Sequence, residues 1–406
     1  MIHKKFFNLI LPINLLFDLL LIFEAYSNVL AIIRAVLLIY SLLEFLVIKK
    51  ISLLKYKLLL LFIFYCFILI PFSSSLEVSI NMTLKICIPI LYFIVGFEYF
   101  QTSERINKLV KSITIFYFLL VLNFIVSNYF NIGVDAYSDS SDFLVGNLDD
   151  RWNVFTYSLL VLPLVLLYCE KSSYKNLNIL LAFICTIILI LSIKRIAILS
   201  LVFGGIIYFY FNFSFKRILF FSFTSLILLL ISFTLVSDLF ESRLANRSDR
   251  FEDGAMQKEA RYMESIYVWQ ETFSFKRIDK SIFGLQAFNS VGNYADGYFG
   301  ERNIHVDYNL ILNTNGLLGL VLYFLCLSGI YFKFRKSTKF LNHNTDYINT
   351  FIGIFYALFI TQFVTSFGGQ MYNITFRLLI FIFLGAISGH LNFISSKYFR
   401  ESSNSL

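Results

Sequence analysis

Charge is what this sequence has least of. Asp, Glu, Lys and Arg together make up 15% of its 406 residues, against roughly 25% in soluble domains. That shortfall excludes an ordinary soluble globular chain. Only 4 prolines occur, with no Gly/Ser-rich linker and no self-similar half, so nothing divides the chain into tethered modules or repeats. Cysteine is sparse as well. Cys66, Cys87, Cys169, Cys185 and Cys326 all sit inside apolar runs without a CxxC pair, a pattern that indicates small buried groups and neither a disulfide framework nor a metal site.

What is abundant is apolar length. Hydrophobic residues reach 58%, and a bilayer is crossed by about 20 mostly apolar residues in a helix. Twelve stretches qualify: 6–23, 28–48, 56–72, 78–100, 109–130, 152–169, 177–193, 196–213, 218–236, 306–332, 348–366 and 373–394. The N-terminus runs straight into the first of them with no small-residue cleavage site, and reads as an uncleaved span. The net charge of +8 does not point to nucleic acid, because the basic residues lie in short turns. Lys49/Lys50/Lys55/Lys57, Arg105/Lys108/Lys111, Lys171/Lys175, Lys216/Arg217, Lys333/Arg335/Lys336/Lys339 and Lys397/Arg400 all fall on one side if both termini are cytoplasmic, as the positive-inside rule requires. The expectation is an all-α polytopic membrane protein of about twelve transmembrane helices. Nine lie in 1–236, one large outer loop fills 237–305, three more spans follow in 306–394, and a tail closes at 395–406.

Two polar stretches stand outside this membrane pattern. The first, 131–151, carries Asp135, Asp139, Asp142, Asp149 and Asp150 at spacings that fit no cation loop. The second runs from Asp238 to His305 and is nearly neutral, so any pull on an anion there must be local. Arg243, Arg247 and Arg250 share one helical face with acidic neighbours that can solvate or pair them. Arg261 opens a segment with Tyr262, Ile266, Tyr267, Trp269 and Phe273, which reads as a helix lying on a membrane surface. Charge also occurs at membrane depth, at Arg34, Lys85 and Arg377, and at Lys194 and Arg195 in a very short outer turn. Such groups are costly and usually face a partner or a polar cavity. For Lys194 and Arg195 two readings stand: both side chains snorkel to the headgroups, or one of them faces a site. Gly385-x-x-x-Gly389 fits close helix packing.

Four fragments in order carry a resemblance. Ser192-Ile193-Lys194-Arg195 before Ile196-Ala197-Ile198-Leu199, Arg261 with Trp269, Ile282-Phe283-Gly284-Leu285 with Phe288, and His305-Val306-Asp307-Tyr308 followed by Gly316-Leu317-Leu318-Gly319 resemble motifs of the bacterial O-antigen polymerase/O-antigen ligase superfamily. The resemblance covers mainly 190–330. It departs from the pattern where Val306 replaces the usual Asn, and where Asn313, Thr314 and Asn315 stand in place of an acidic residue before Gly316.

The resemblance implies a metal- and cofactor-independent membrane glycosyltransferase of lipopolysaccharide biosynthesis, working at the outer face of the bacterial inner membrane and similar in fold to other polyprenyl-phosphate-dependent enzymes. Donor and acceptor would be oligosaccharides on polyprenyl (undecaprenyl) diphosphate, with membrane lipids and a chain-length regulator as further partners. It implies Arg195 and Arg261 as a clamp on the diphosphate, because a guanidinium is always charged and grips phosphate with two N–H groups. His305 would be the base or acceptor-orienting group. Lys194, Arg34, Arg377, Asp307 and Tyr308 would complete substrate binding. A polymerase is favoured over a ligase that transfers the glycan to lipid A-core. A lipid-glycan flippase fits less well, since transporter folds tend to show internal repeats and broken spans.

Overall fold

The computed structural model describes residues 2–20, 26–135, 144–146, 153–160, 174–192, 195–212, 260–300, 302–341 and 345–403. Within them the chain is helical, apart from a ribbon of two short antiparallel strands, β1 (Val134–Asp135) and β2 (Leu144–Gly146). The long helices of the first half are α1 (Ile2–Leu20), α2 (Ser27–Ile48), α3 (Lys57–Leu69), α4 (Leu76–Tyr99) and α5 (Ser103–Phe130). Then come α6 (Asn153–Leu159), α7 (Lys175–Ser192) and α8 (Arg195–Phe211). The loop region contributes α9 (Ala260–Phe273) and the short α10 (Ile278–Phe283), and the chain closes with α11 (Asp307–Thr338), α12 (Asp346–Thr365) and α13 (Ile374–Ser403).

Seven helical stretches among the described residues are long and apolar enough to cross a membrane: Ser27–Ile48, Leu53–Phe72, Leu76–Tyr99, Ser103–Phe130, Asp307–Thr338, Asp346–Gly368 and Ile374–Lys397. Lys175–Leu189 and Leu199–Phe211 are shorter apolar helices. Several apolar helices of this kind define a polytopic membrane protein. The expected span at 218–236 and most of that at 152–169 lie outside the described residues, as do Lys194, Arg243, Arg247, Arg250 and four of the five loop aspartates.

Both the interior and the exterior of the bundle are apolar, as a lipid solvent demands. Phe7, Phe45, Phe62, Tyr92, Phe93 and Tyr117 are buried in its middle, while Ile32, Val36, Leu43, Leu54, Phe64 and Ile125 point outward. Its tightest seam joins α4 and α13. A side chain on Gly385 or Gly389 would strike the carbonyls of Phe93 and Phe97, and one on Gly96 would strike that of Ile382. Small residues let these two backbones touch, which is how helices associate where no hydrophobic effect drives them. Cys66, Cys87, Cys185 and Cys326 are buried and unbridged.

Candidate functional site

Helix α11 begins without a side-chain cap of its own, since Val306 occupies the N-cap position. The unpaired N–H groups of a helix start need partners, and distant elements supply them. Glu264 of α9 is fully buried, and its Oε1 accepts the backbone N–H of His305 at 2.7 Å and that of Val306 at 3.4 Å. Asp307, the first helical residue, accepts the N–H of Met371 at 2.9 Å through Oδ1 and pairs through Oδ2 with Arg377 of α13. The Arg377 guanidinium also donates to the Gln370 carbonyl and to Ser366 Oγ, both at 3.2 Å. Carboxylate and guanidinium are each about 3% exposed, and a buried pair of this kind holds only when its remaining groups are hydrogen-bonded. The turn between α12 and α13 is thereby fastened under His305. Gly369 sits in it at φ +74, where a side chain would run into the His305 carbonyl oxygen.

Arg34 of α2 makes a neighbouring buried network. It donates to Asn14 Oδ1 at 3.0 Å, to Asp18 Oδ1 at 2.7 Å and to Thr375 Oγ1. Tyr157 of α6 donates to the other Asp18 oxygen at 2.6 Å and lies 3.2 Å from Asn373 Oδ1. Thr375 and Arg377 are two residues apart, so both arginines converge on the start of α13.

Helix α8 reaches the same place. It starts at Arg195, and Ile196 packs on Gly368, one residue from the glycine under His305. Only the backbone of Arg195 is described, and it stands beside the fastened turn.

Helix α9 turns its least aromatic face inward. The buried stripe is Glu264, Val268 and Thr272, at i, i+4 and i+8, whereas Tyr262, Trp269 and Phe273 are exposed. The aromatic side therefore faces away from the protein, as suits a helix at a membrane surface. Trp269 keeps one tether: its Nε1 donates to Asn309 Oδ1 at 3.1 Å, and Asn309 donates to Ser265 Oγ at 2.7 Å. Arg261 is exposed one turn before Glu264.

The side chain of His305 is 39% exposed and that of Arg302 31% exposed. Arg302 Nε donates to His305 Nδ1 at 3.1 Å. Glu264 Oε2 lies 3.5 Å from both Arg302 and His305 Nδ1 yet accepts no hydrogen bond. Tyr294, stacked on Phe299 with ring centroids 5.3 Å apart, also keeps a buried hydroxyl without a partner. Burial, with the nearby Glu264 carboxylate adding to it, pushes that hydroxyl up to about 12. Tyr372 donates to the Phe288 carbonyl at 3.3 Å, and burial raises its hydroxyl well above the ordinary range.

Below this level the loop is wedged into a break in α11. Gly316 departs from helical geometry at φ 69, ψ −176, a backbone region essentially reserved for glycine. A side chain there would hit the Ile282 carbonyl, and one on Gly284 (φ 77) would hit the Thr314 carbonyl. The polar groups freed by the break are answered. Gln286 N–H donates to Thr314 O at 3.0 Å, and Tyr65 OH bridges Phe283 O (3.0 Å) and Asn315 O (2.8 Å). Gly316 is thus a kink nine residues inside α11.

His305, Asp307, Tyr308 and Arg377 thus gather at one end of the bundle, with Arg34 and the backbone of Arg195 around the same turn and Arg261 exposed on the helix whose Glu264 holds the His305 amide. Tyr308 donates to the Phe363 carbonyl at 3.0 Å and rests on Phe367. Glu264, Arg302 and Asn309 had not been singled out. The signal for Glu264 was available: it lies four residues before Val268, an acid on the stripe that packs inward. The signal for Asn309 was the asparagine missing after His305, which reappears one turn on. Among the described residues no cluster of His, Cys, Asp and Glu has the makings of a metal site. No protein-family model matches the chain, and no curated protein matches it either.

Proposed function

We propose that the chain is an O-antigen (surface polysaccharide) polymerase. It would transfer a growing glycan from polyprenyl diphosphate to a lipid-linked repeat unit at the outer face of the bacterial inner membrane. In this reading twelve spans enclose the bundle, both termini are cytoplasmic and the 237–305 loop is periplasmic. One observation carries it: the Arg195 helix start, the Arg261 helix and His305 meet around a single fastened turn, although 66 and 44 residues of sequence separate them.

The chemistry asks two things of that place. Charge grows on the departing diphosphate, and Arg195 and Arg261 supply permanent planar donors to it, a type of aimed stabilisation worth about 2.7–4 kcal/mol per donor set. The acceptor hydroxyl must lose a proton, and His305, half exposed beside the turn, is the group to orient it or take the proton. Lys194 adds charge at the Arg195 turn. Asp307, Arg377 and Arg34 hold the frame in place, and Tyr308 borders it.

Transfer to lipid A-core would use the same residues, so ligase remains the second reading. The four ordered motifs favour both over a flippase.

The test is a polymer ladder in a strain lacking the native gene, with each variant at matched membrane level. His305→Ala should abolish chain extension. Arg195→Lys should reduce transfer by about 10²-fold or more, because lysine reaches the headgroups equally well but lacks the two-pronged donor. Lys194→Ala should be milder. Full-length ladders from Arg195→Lys would sink the clamp, and glycan appearing on lipid A-core without a polymerase would move the assignment to ligase.

A further inference from the structure

A hydrogen bond at His305 conflicts with a base role in the state described. A neutral imidazole carries one proton, and a ring nitrogen that accepts a hydrogen bond must hold the lone pair. Arg302 donates to Nδ1 at 3.1 Å, so the proton is on Nε2, and an Nε2–H cannot take a proton from an acceptor hydroxyl. The same few ångströms contain the alternative partner. Glu264 Oε2 is fully buried, lies 3.5 Å from His305 Nδ1 and accepts nothing. A buried carboxylate oxygen without a donor is expensive to maintain, and an Nδ1–H would satisfy it.

What holds Nδ1 is movable. Arg302 is 31% exposed, and its terminal nitrogen is only 3.5 Å from Glu264 without forming a hydrogen bond. Its other neighbour is the Phe299 ring, 5.9 Å away. Glu264 is not movable: its Oε1 is fixed by the His305 and Val306 amides. Two other groups face the cluster, the Tyr294 and Tyr372 hydroxyls, whose acidities burial moves away from neutrality. The Asp307–Arg377 pair is closed on itself.

We propose that Glu264 is the positioning carboxylate of His305 and that Arg302 masks it until a phosphate-bearing ligand binds. The anion draws the Arg302 guanidinium off Nδ1. Nε2 then gives its proton to solvent and Nδ1 takes one from solvent, with no net change in charge. The new Nδ1–H donates to Glu264 Oε2, and the Nε2 lone pair faces outward. When Nε2 accepts the hydroxyl proton, the resulting imidazolium stands beside the Glu264 carboxylate, which stabilises it as the carboxylate of a hydrolase triad does. The inference rests on His305 being the group that meets the acceptor hydroxyl. It adds the control: the base forms only once the diphosphate is in place.

The experiment is ¹⁵N-histidine NMR of the full-length protein in lipid nanodiscs, with farnesyl diphosphate as probe. The chain has 4 histidines, and a His305→Gln sample assigns the relevant signal. Without ligand, the wild type should show Nε2 protonated; with saturating farnesyl diphosphate, Nδ1. Arg302→Gln should show the Nδ1–H form with no ligand present, and Glu264→Gln should stay Nε2–H with ligand bound. In a transfer assay Glu264→Gln should lower kcat by about 10²-fold or more with little change in KM, whereas Arg302→Gln should mainly raise KM. The proposal is overturned if Arg302→Gln keeps the Nε2–H form, or if Glu264→Gln switches as the wild type does. A switch that follows the prediction in a protein making no polymer would refute the polymerase assignment alone.

Discussion

Replacing Gly316 by alanine tests the wedge between the loop and α11, and the structure provides its control. Gly316 has φ 69 and ψ −176, and a methyl group there meets the Ile282 carbonyl and the Phe283 nitrogen at contact too close to keep. Gly292 also has positive φ, at 66, but open space around its missing side chain. Alanine at Gly292 should therefore cost only the conformational term, about 1–2 kcal/mol, and less where the exposed turn relaxes. Alanine at Gly316 should carry a conformational term of about 1–3 kcal/mol for its glycine-only backbone region plus a packing term of about 1–3 kcal/mol, because backbone rather than a flexible side-chain tip must give way. The assay is unfolding in one detergent or nanodisc, comparing wild type, Gly292→Ala and Gly316→Ala. Gly284→Ala, which strikes the Thr314 carbonyl from the opposite side, should resemble Gly316→Ala, and the double variant should be less than additive since one displacement relieves both. Equal, mild effects at Gly292 and Gly316 would refute the interlock.

Two further outcomes are expected. Asp307→Asn or Arg377→Leu alone should destabilise the protein by about 3–5 kcal/mol, since each leaves a buried charge without its partner. The double Asp307→Asn/Arg377→Leu variant should recover part of that loss in the same unfolding assay, and strict additivity would contradict the pair. For topology, a cysteine beside Gly292 should be labelled from outside intact cells by an impermeant reagent, and one near Ser337, at the exposed Lys339, only after permeabilisation; the reverse pattern would remove the periplasmic site.

Hydropathy was enough to read the long spans, because a helix in lipid announces itself by length alone: Ser27–Ile48 and Ile374–Lys397 fall where the apolar runs lie. The cost of charge at membrane depth likewise marked Arg34 and Arg377, and both prove to be buried against carboxylates. Their partners were not legible. Asp18 lies near the end of α1 and Asp307 at the start of α11, and nothing local in the chain links either to its arginine. The orientation of α9 follows from the membrane-surface reading of its aromatic segment. In water its aromatic residues would mark the protein-facing side, but at a membrane surface they mark the opposite one, and the inward side is left to Glu264, Val268 and Thr272. The role of Glu264 depends on three-dimensional proximity to His305, 41 residues on, and periodicity carries no information at that range. The kink at Gly316 was hidden because the group it makes room for, the carbonyl of Ile282, belongs to another segment.

That kink has a consequence for how the protein is built. Peptide groups in lipid must find hydrogen bonds within the protein, and those around Gly316 find them in Gln286 of the loop and Tyr65 of α3. Both precede α11 in the chain. A nascent chain therefore already holds the two partners when α11 leaves the ribosome, and the broken helix never has to wait unpaired. Moved to the far side of α11 by circular permutation, the same segments would arrive too late. Insertion, rather than final stability, would then be the step that fails, so order of synthesis is written into this fold as firmly as its packing.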